Sequence, residues 1–455
     1  MKKTWLGLAV VVVGIIAASI IALPRGAEWT TDSPEALAEF TAAIDDKMKL
    51  YHDDVQAHLE KAVEIDPDFV IARLYLANEV RYDDEDRALR LWNDVLTADH
   101  SDLTPREIFF VDRARAYQEK RFDDAAQMID DYLARYPDDP FILHEKALKT
   151  WGAGEFDEAE RLNRRLIEIA PNWVLAYNQL GYIAMSQGRF VEAEEYFTSY
   201  RFVAPDQANP HDSLGELYII LGRIEEAEVS LRQSVEIKPD FWNAFDHLAL
   251  ARLSVGDVAG AEDIVSEVEA ARDCPDYWKV GIGCLVEIAN LAHAEQWSEI
   301  LDFLGEDSAC LEGYASVYAQ IMKHRAAVQL GDLETALAIE AKMEKSVSAA
   351  EEISKLDKPM ILGALSHLRG VRMALQGDDE DAIEAFWSAD KNMTYIQARD
   401  GLFKLQNRLM LVETLFAAGQ DADAHKVLSK VRSVNPGVAQ EFEEKGLKAL
   451  GLERD

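Results

Sequence analysis

The sequence predicts an all-α protein, a solenoid of antiparallel helix pairs preceded by one transmembrane helix. One 34-residue period, kept by three residue types, carries the solenoid. Pro137, Pro171, Pro205 and Pro239 are each 34 residues apart, and so are Gly154, Gly188, Gly222 and Gly256. Ala125, Ala159, Ala193, Ala227 and Ala261 keep the same interval. A separate observation carries the membrane helix: no charge occurs between Lys3 and Arg25, and Leu6 to Leu23 is almost wholly apolar.

Each residue type in the register has a physical job. Proline fixes φ and has no N–H to donate, so it punctuates the link between units. Glycine accepts positive φ, so it ends the first helix of a pair and turns the chain. Alanine is small and lets the second helix pack close to the first. Between these marks the apolar residues fall at helical spacing, as in Leu180, Ile183 and Ala184, then Ala193, Phe197 and Tyr200. One helix pair cannot bury its apolar face, so neighbours must stack.

At the amino terminus, Lys2 and Lys3 precede the apolar run and Pro24 closes it. The positive flank predicts a single-pass anchor over residues 1–25, crossing the inner membrane through residues 5–23. Its amino terminus would be cytoplasmic and the repeats periplasmic. The alternative is a cleaved signal peptide that releases the body to the periplasm. Against it, Ile20-Ile21-Ala22-Leu23 offers a poor small-residue cleavage site.

The chain has 455 residues, 49% of them hydrophobic, enough to bury a substantial core. Acidic residues outnumber basic ones by 83 to 47, for a formal charge of −36. Such a surface repels nucleic acid and favours neutral or basic protein partners. Cys274, Cys284 and Cys310 contain no CxxC spacing and so do not suggest a zinc or thioredoxin-like site. In an oxidising compartment one disulfide is possible, with one thiol left over; otherwise all three are small buried apolar residues.

A 34-residue helix-turn-helix unit resembles the tetratricopeptide repeat. Tyr177, Leu180, Gly181, Ala193, Phe197 and Pro205 sit at that family's signature spacing, as do Leu214, Gly215, Tyr218, Ala227, Leu231 and Pro239. The resemblance implies a right-handed superhelix. Three later turns, led by Gly331, Gly377 and Gly419, are 46 and 42 residues apart and imply longer helices or inserted turns. The predicted organisation is therefore anchor 1–25, regular array 26–273, degenerate helical repeats 274–330, and divergent repeats 331–455. Gln440 to Arg454 is expected to form a capping helix. Ser33-Pro34-Glu35-Ala36, Leu103-Thr104-Pro105-Arg106-Glu107 and Pro210-His211-Asp212-Ser213-Leu214-Gly215 also resemble the repeat regions of bacterial membrane-linked signalling proteins, whose effector module is missing here.

Catalytic signatures are absent: there is no GxSxG, GxxxxGK[ST], HExxH or GxGxxG. Asp83-Asp84-Glu85-Asp86 and Asp378-Asp379-Glu380-Asp381 lack the ligand spacing of a calcium loop and read as acidic helix starts. No enzyme activity, cofactor or metal is expected.

In the family that the chain resembles, the first helix of each unit lines a peptide-binding groove. Carried onto this sequence, the groove positions are Asn178, Tyr182, Asn209, Asp212, Glu216, Asn243 and Asp246, with Phe110, Tyr117, Phe141, His144 and Trp151 upstream. Asparagine can pair twice with an extended backbone, and aromatic residues make good anchors. No Lys or Arg occupies these positions between 174 and 253, which disfavours a free carboxy terminus as ligand. Alternatively, the Asn and Asp merely solvate a helix face, and Phe141 and Trp151 equally suit inter-repeat core. The expected function is a membrane-anchored scaffold or adaptor. A sensory component acting through a separate effector, and an enzyme site hidden in 274–360, are the alternatives.

Overall fold

The computed structural model describes residues 29–446 apart from 82, 313–315, 350–354 and 356. Every regular element among the described residues is helical. The chain divides into two compact units: residues 1–147 with 161–176, and residues 148–160 with 177–455.

In the first unit, helix pairs α1 (Pro34–Lys49) with α2 (His52–Ile65), α3 (Val70–Val80) with α4 (Glu85–Thr97), and α5 (Pro105–Gln118) with α6 (Phe122–Leu133) follow one another. The unit ends within α7 (Pro140–Gly152), α8 (Phe156–Ile169) and α9 (Val174–Ser186), through which the division runs. The helix starts are legible chemistry. Ser33 caps α1 by accepting from the Ala36 N–H, with Pro34 at the first helical position. Asp84 accepts from the Arg87 N–H at 2.8 Å and caps α4, so this acidic cluster starts a helix. Thr104 and Glu107 form a reciprocal capping box on α5.

The second unit continues through α10 (Phe190–Val203), α11 (Ala208–Ile220), α12 (Ile224–Ile237), α13 (Trp242–Ser254) and α14 (Val258–Ala270). Then come α15 (Asp276–His293), a short α16 (Trp297–Phe303) and a single 3₁₀ turn at Ala309–Leu311. The remaining helices are α17 (Ser316–Gln329), α18 (Leu333–Ala349), α19 (Asp357–Gln376), α20 (Asp379–Asn392), α21 (Ala398–Ala417), α22 (Asp421–Val434) and α23 (Pro436–Lys445). The lengthened spacing after residue 330 has its cause here. α19 and α21 run 20 residues, whereas α9, α11 and α13 run 13.

The sequence register maps onto this framework directly. Gly154, Gly188, Gly222, Gly256, Gly331, Gly377 and Gly419 all turn with φ between 71° and 84°. Ala125, Ala159, Ala193, Ala227 and Ala261 are all fully buried between paired helices. Gly181 and Gly215 permit the close approach of the pairs: a β-carbon would lie 2.3 Å from the Phe197 ring and 2.5 Å from Leu231 Cγ, respectively. Cys284 and Cys310 form a disulfide with Cα atoms 5.7 Å apart, bridging α15 to the 3₁₀ turn, while Cys274 is buried outside it.

One expectation needs correction. Placement as a single-pass inner-membrane protein with periplasmic repeats is overturned, because no described helix is long and apolar enough to cross a membrane. The long helices are amphipathic: α15 carries Asp276, Lys279 and Glu287, and α21 carries Arg399, Asp400, Lys404, Arg408 and Glu413. The anchor expected at residues 1–25 lies outside the described residues, as do the last eight residues of the expected cap. The described part of that cap is α23, which buries Ala439 and Phe442.

Candidate peptide-holding faces on the first helices

In the second unit, the polar row expected along α9, α11 and α13 comes together as one network. Asn178 donates to the Ser213 hydroxyl at 3.1 Å. The Tyr182 hydroxyl donates to the Glu216 carboxylate at 2.7 Å. The His247 imidazole on α13 lies 2.8 Å from the Asp212 carboxylate and 3.8 Å from that of Glu216. Asn209 donates to the Tyr200 hydroxyl at 3.2 Å. Asp212 and Glu216 are each 2% exposed, so these carboxylates are not solvating a helix face. Asp246 is buried beside them, whereas Asn243 is exposed.

Electrostatics follow from that crowding. Burial raises the Glu216 carboxyl above its usual range. For His247, burial opposes the charged ring, but the carboxylates of Asp212 and Glu216 outweigh it and push its pKa up to about 10. Burial, with Glu216 and Asp212 beside it, raises the Tyr182 phenol. A cationic His247 thus partly neutralises a buried acidic row.

The rest of the compensation comes from far along the chain. The backbone N–H of Ala398, at the start of α21, donates to Glu216 at 2.7 Å, and Arg399 pairs with Asp246. Tyr395 stacks edge-on against Phe190 at 5.0 Å. Gly401 lies against Ile220, where a β-carbon would come within 2.8 Å of the side chain. Asn435 reaches the α11–α12 turn and donates to the Ile220 carbonyl at 3.2 Å. The non-helical stretch before α21 is fixed from behind by Lys404, which donates to the Met393 carbonyl at 2.6 Å.

The first unit repeats the theme with different chemistry. Trp29 is 8% exposed and packs among Phe40, Tyr75, Phe110 and Phe141, with ring centroids 5.2 to 6.4 Å away. The Arg106 guanidinium sits over both Trp29 and Phe141. The next residue, Thr30, donates its N–H to Glu107 at 2.6 Å and its hydroxyl to the same carboxylate at 2.7 Å. Thr31 then donates to Asp66. Glu107, completely buried, therefore caps its own helix and holds the backbone of a distant extended segment.

A model of the tetratricopeptide repeat matches residues 174–199 and 210–241. Those two segments carry tetratricopeptide repeats. No curated protein sequence matches it. Solved structures similar to it include a tetratricopeptide repeat protein from Parabacteroides merdae, at 18% identity and a TM-score of 0.38, covering 55% of this chain and 92% of that one. Others are PilW, a type IV pilus biogenesis factor, at 17% and 0.32, covering 53% and 92%, and an IFIT1 monomeric mutant with Gppp-AAAA, at 13% and 0.42, covering 86% and 95%. At such identities and scores, these likenesses carry no argument about what this chain binds.

The other expected groove positions are placed as follows. Phe110 and Phe141 are part of the aromatic pocket around Trp29. His144 stacks on Trp173 at 5.6 Å, and burial lowers its pKa to about 4. Tyr117 is exposed beside Phe122 and Arg113. Trp151 lies half-buried in the second unit. Trp29, Glu107, His247 and Arg399 are not among the positions expected to line a groove. Only Glu107 had a visible signal, as the fourth residue of Thr104-Pro105-Arg106-Glu107.

Proposed function

We propose that this chain is a non-catalytic protein-binding scaffold, and that the first-helix faces of its repeats recognise extended segments of neutral or basic character. The supporting observation is that both faces already hold such segments, taken from the chain itself. One takes a tryptophan with a backbone N–H and two hydroxyls; the other takes a backbone N–H followed by an arginine. These are the contacts a peptide supplied by another protein would make: main-chain hydrogen bonds for affinity and side-chain pockets for selectivity. Within each unit the pairs would stack with the right-handed twist that the family resemblance implies.

Positions on the first helices that remain open, Asn243 and Tyr117, are where a partner would touch without displacing anything. The experiment is site-specific photo-crosslinking in cells from Asn243 and Tyr117, compared with Phe202 and Val229, which are exposed on second helices. A discrete protein adduct from the first pair and none from the second is the expected result. Equal adducts from both pairs, or none from either, would contradict the proposal.

A further inference from the structure

A second site, of different chemistry, lies on the first helix of a later pair. On α17, Tyr318, Arg325 and Gln329 fall at positions i, i+7 and i+11, which share one face. Arg325 is anomalous among the arginines there. Arg372 pairs with Glu340, Arg399 with Asp246 and Arg408 with Asp390. Arg325 has no carboxylate and no hydrogen-bond acceptor among the described residues, and its Nε is buried. Its one specific contact is the Trp297 ring, 5.4 Å from the guanidinium carbon.

That contact engages a π face and leaves the five N–H donors at the guanidinium edge unused. In a chain with 83 acidic residues, a carboxylate would have been easy to supply. A buried N–H without an acceptor, as at Arg325 Nε, is costly, and buried polar groups are otherwise almost always satisfied. The neighbours add to the imbalance. Gln329 Nε2 is buried with no acceptor. Tyr318 lies close enough to feel both Arg325 and Arg399. Burial brings the Arg325 pKa down to about 10, still charged at neutral pH. The residue as a whole is only partly buried, so a ligand can approach it.

We propose that Arg325, with Tyr318 and Gln329 beside it on α17, is a binding site for an oxyanion. The guanidinium fork would take two oxygens of a carboxylate or phosphate side by side, while Trp297 holds the opposite face in plane. A lysine could not do this, because an ammonium is a point charge without the fork. The site is independent of the peptide-holding faces: its ligand is anionic, whereas theirs is neutral or basic.

The test is calorimetric titration of the full chain with inorganic phosphate and, separately, with succinate, each repeated on Arg325→Met and Arg325→Lys. Saturable binding of at least one probe is expected, and which probe binds tells phosphate from carboxylate. Arg325→Met should weaken binding at least tenfold, and Arg325→Lys several-fold, with circular dichroism unchanged for the lysine variant. Should neither probe bind saturably, or should Arg325→Lys bind as the unsubstituted chain does, the assignment is overturned.

Discussion

The backbone N–H of Ala398 donates to the carboxylate of Glu216 across 182 positions of sequence, at 2.7 Å. This bond satisfies one of the free N–H groups at the start of α21 with a buried acid on α11, and helix starts favour negative charge. Glu216 also accepts from Tyr182. Removing the carboxylate leaves two buried donors without acceptors. Glu216→Ala should therefore destabilise the fold by roughly 2–3 kcal/mol, and Glu216→Gln, which keeps one acceptor oxygen, by about half as much. Urea unfolding checks both.

His247 sets a pH dependence. Its folded pKa of about 10 lies above the ordinary 6.5, because the carboxylates around it outweigh the cost of burial. A raised histidine pKa stabilises the fold fully below the unfolded value, and that stability is lost as pH rises through the folded one. Melting temperature should thus fall between about pH 6.5 and pH 10. His247→Gln should flatten this slope; an unchanged slope would separate His247 from the effect.

Glycine substitutions should change sign with position. Gly215→Ala would force a β-carbon to 2.5 Å from Leu231 Cγ, and overpacking of this kind costs about 1–3 kcal/mol. Gly283 sits inside α15 with nothing within 4 Å of such an atom. Gly283→Ala should stabilise by about 0.5–1 kcal/mol through helix propensity and the entropy of the unfolded chain. Thermal melts of the two variants check the pair.

These contrasts show which parts of the fold were legible beforehand. The turns at Gly188 and Gly222 were plain, because glycine is the natural residue for positive φ. The equivalent turns at Leu50, Lys120 and Glu295 also adopt positive φ, between 55° and 64°, with side chains that give no such signal. Asn178, Tyr182, Asp212 and Glu216 could be grouped because a 34-residue period repeats their phase. Arg399 and Ala398 could not be joined to them, since periodicity reports neighbours within an array and is silent on contacts 153 or 182 positions apart. Trp29 precedes the first helix and belongs to no repeat.

The Cys284–Cys310 disulfide closes a loop of 26 positions around the short helix α16. Constraining an unfolded chain over that length contributes roughly 3 kcal/mol. A Cys284→Ser, Cys310→Ser double variant should lose about that much, whereas Cys274→Ser should retain the disulfide's contribution. Unfolding with and without reductant checks this: reductant should destabilise the unsubstituted chain and leave the double variant unchanged.

The most direct measurement of peptide recognition empties one face and refills it. Trp29→Ala should cost about 3 kcal/mol, as expected for an aromatic side chain lost from a packed site, and should open the pocket formed by Phe40, Tyr75, Phe110 and Phe141. A synthetic peptide with the sequence of residues 29–31, Trp-Thr-Thr with blocked ends, is then titrated into that variant and into the unsubstituted chain. Saturable binding to Trp29→Ala, with recovery of its melting temperature and little binding to the unsubstituted chain, is the expected result. A folded Trp29→Ala chain that ignores the peptide would contradict the claim that this face recognises extended segments.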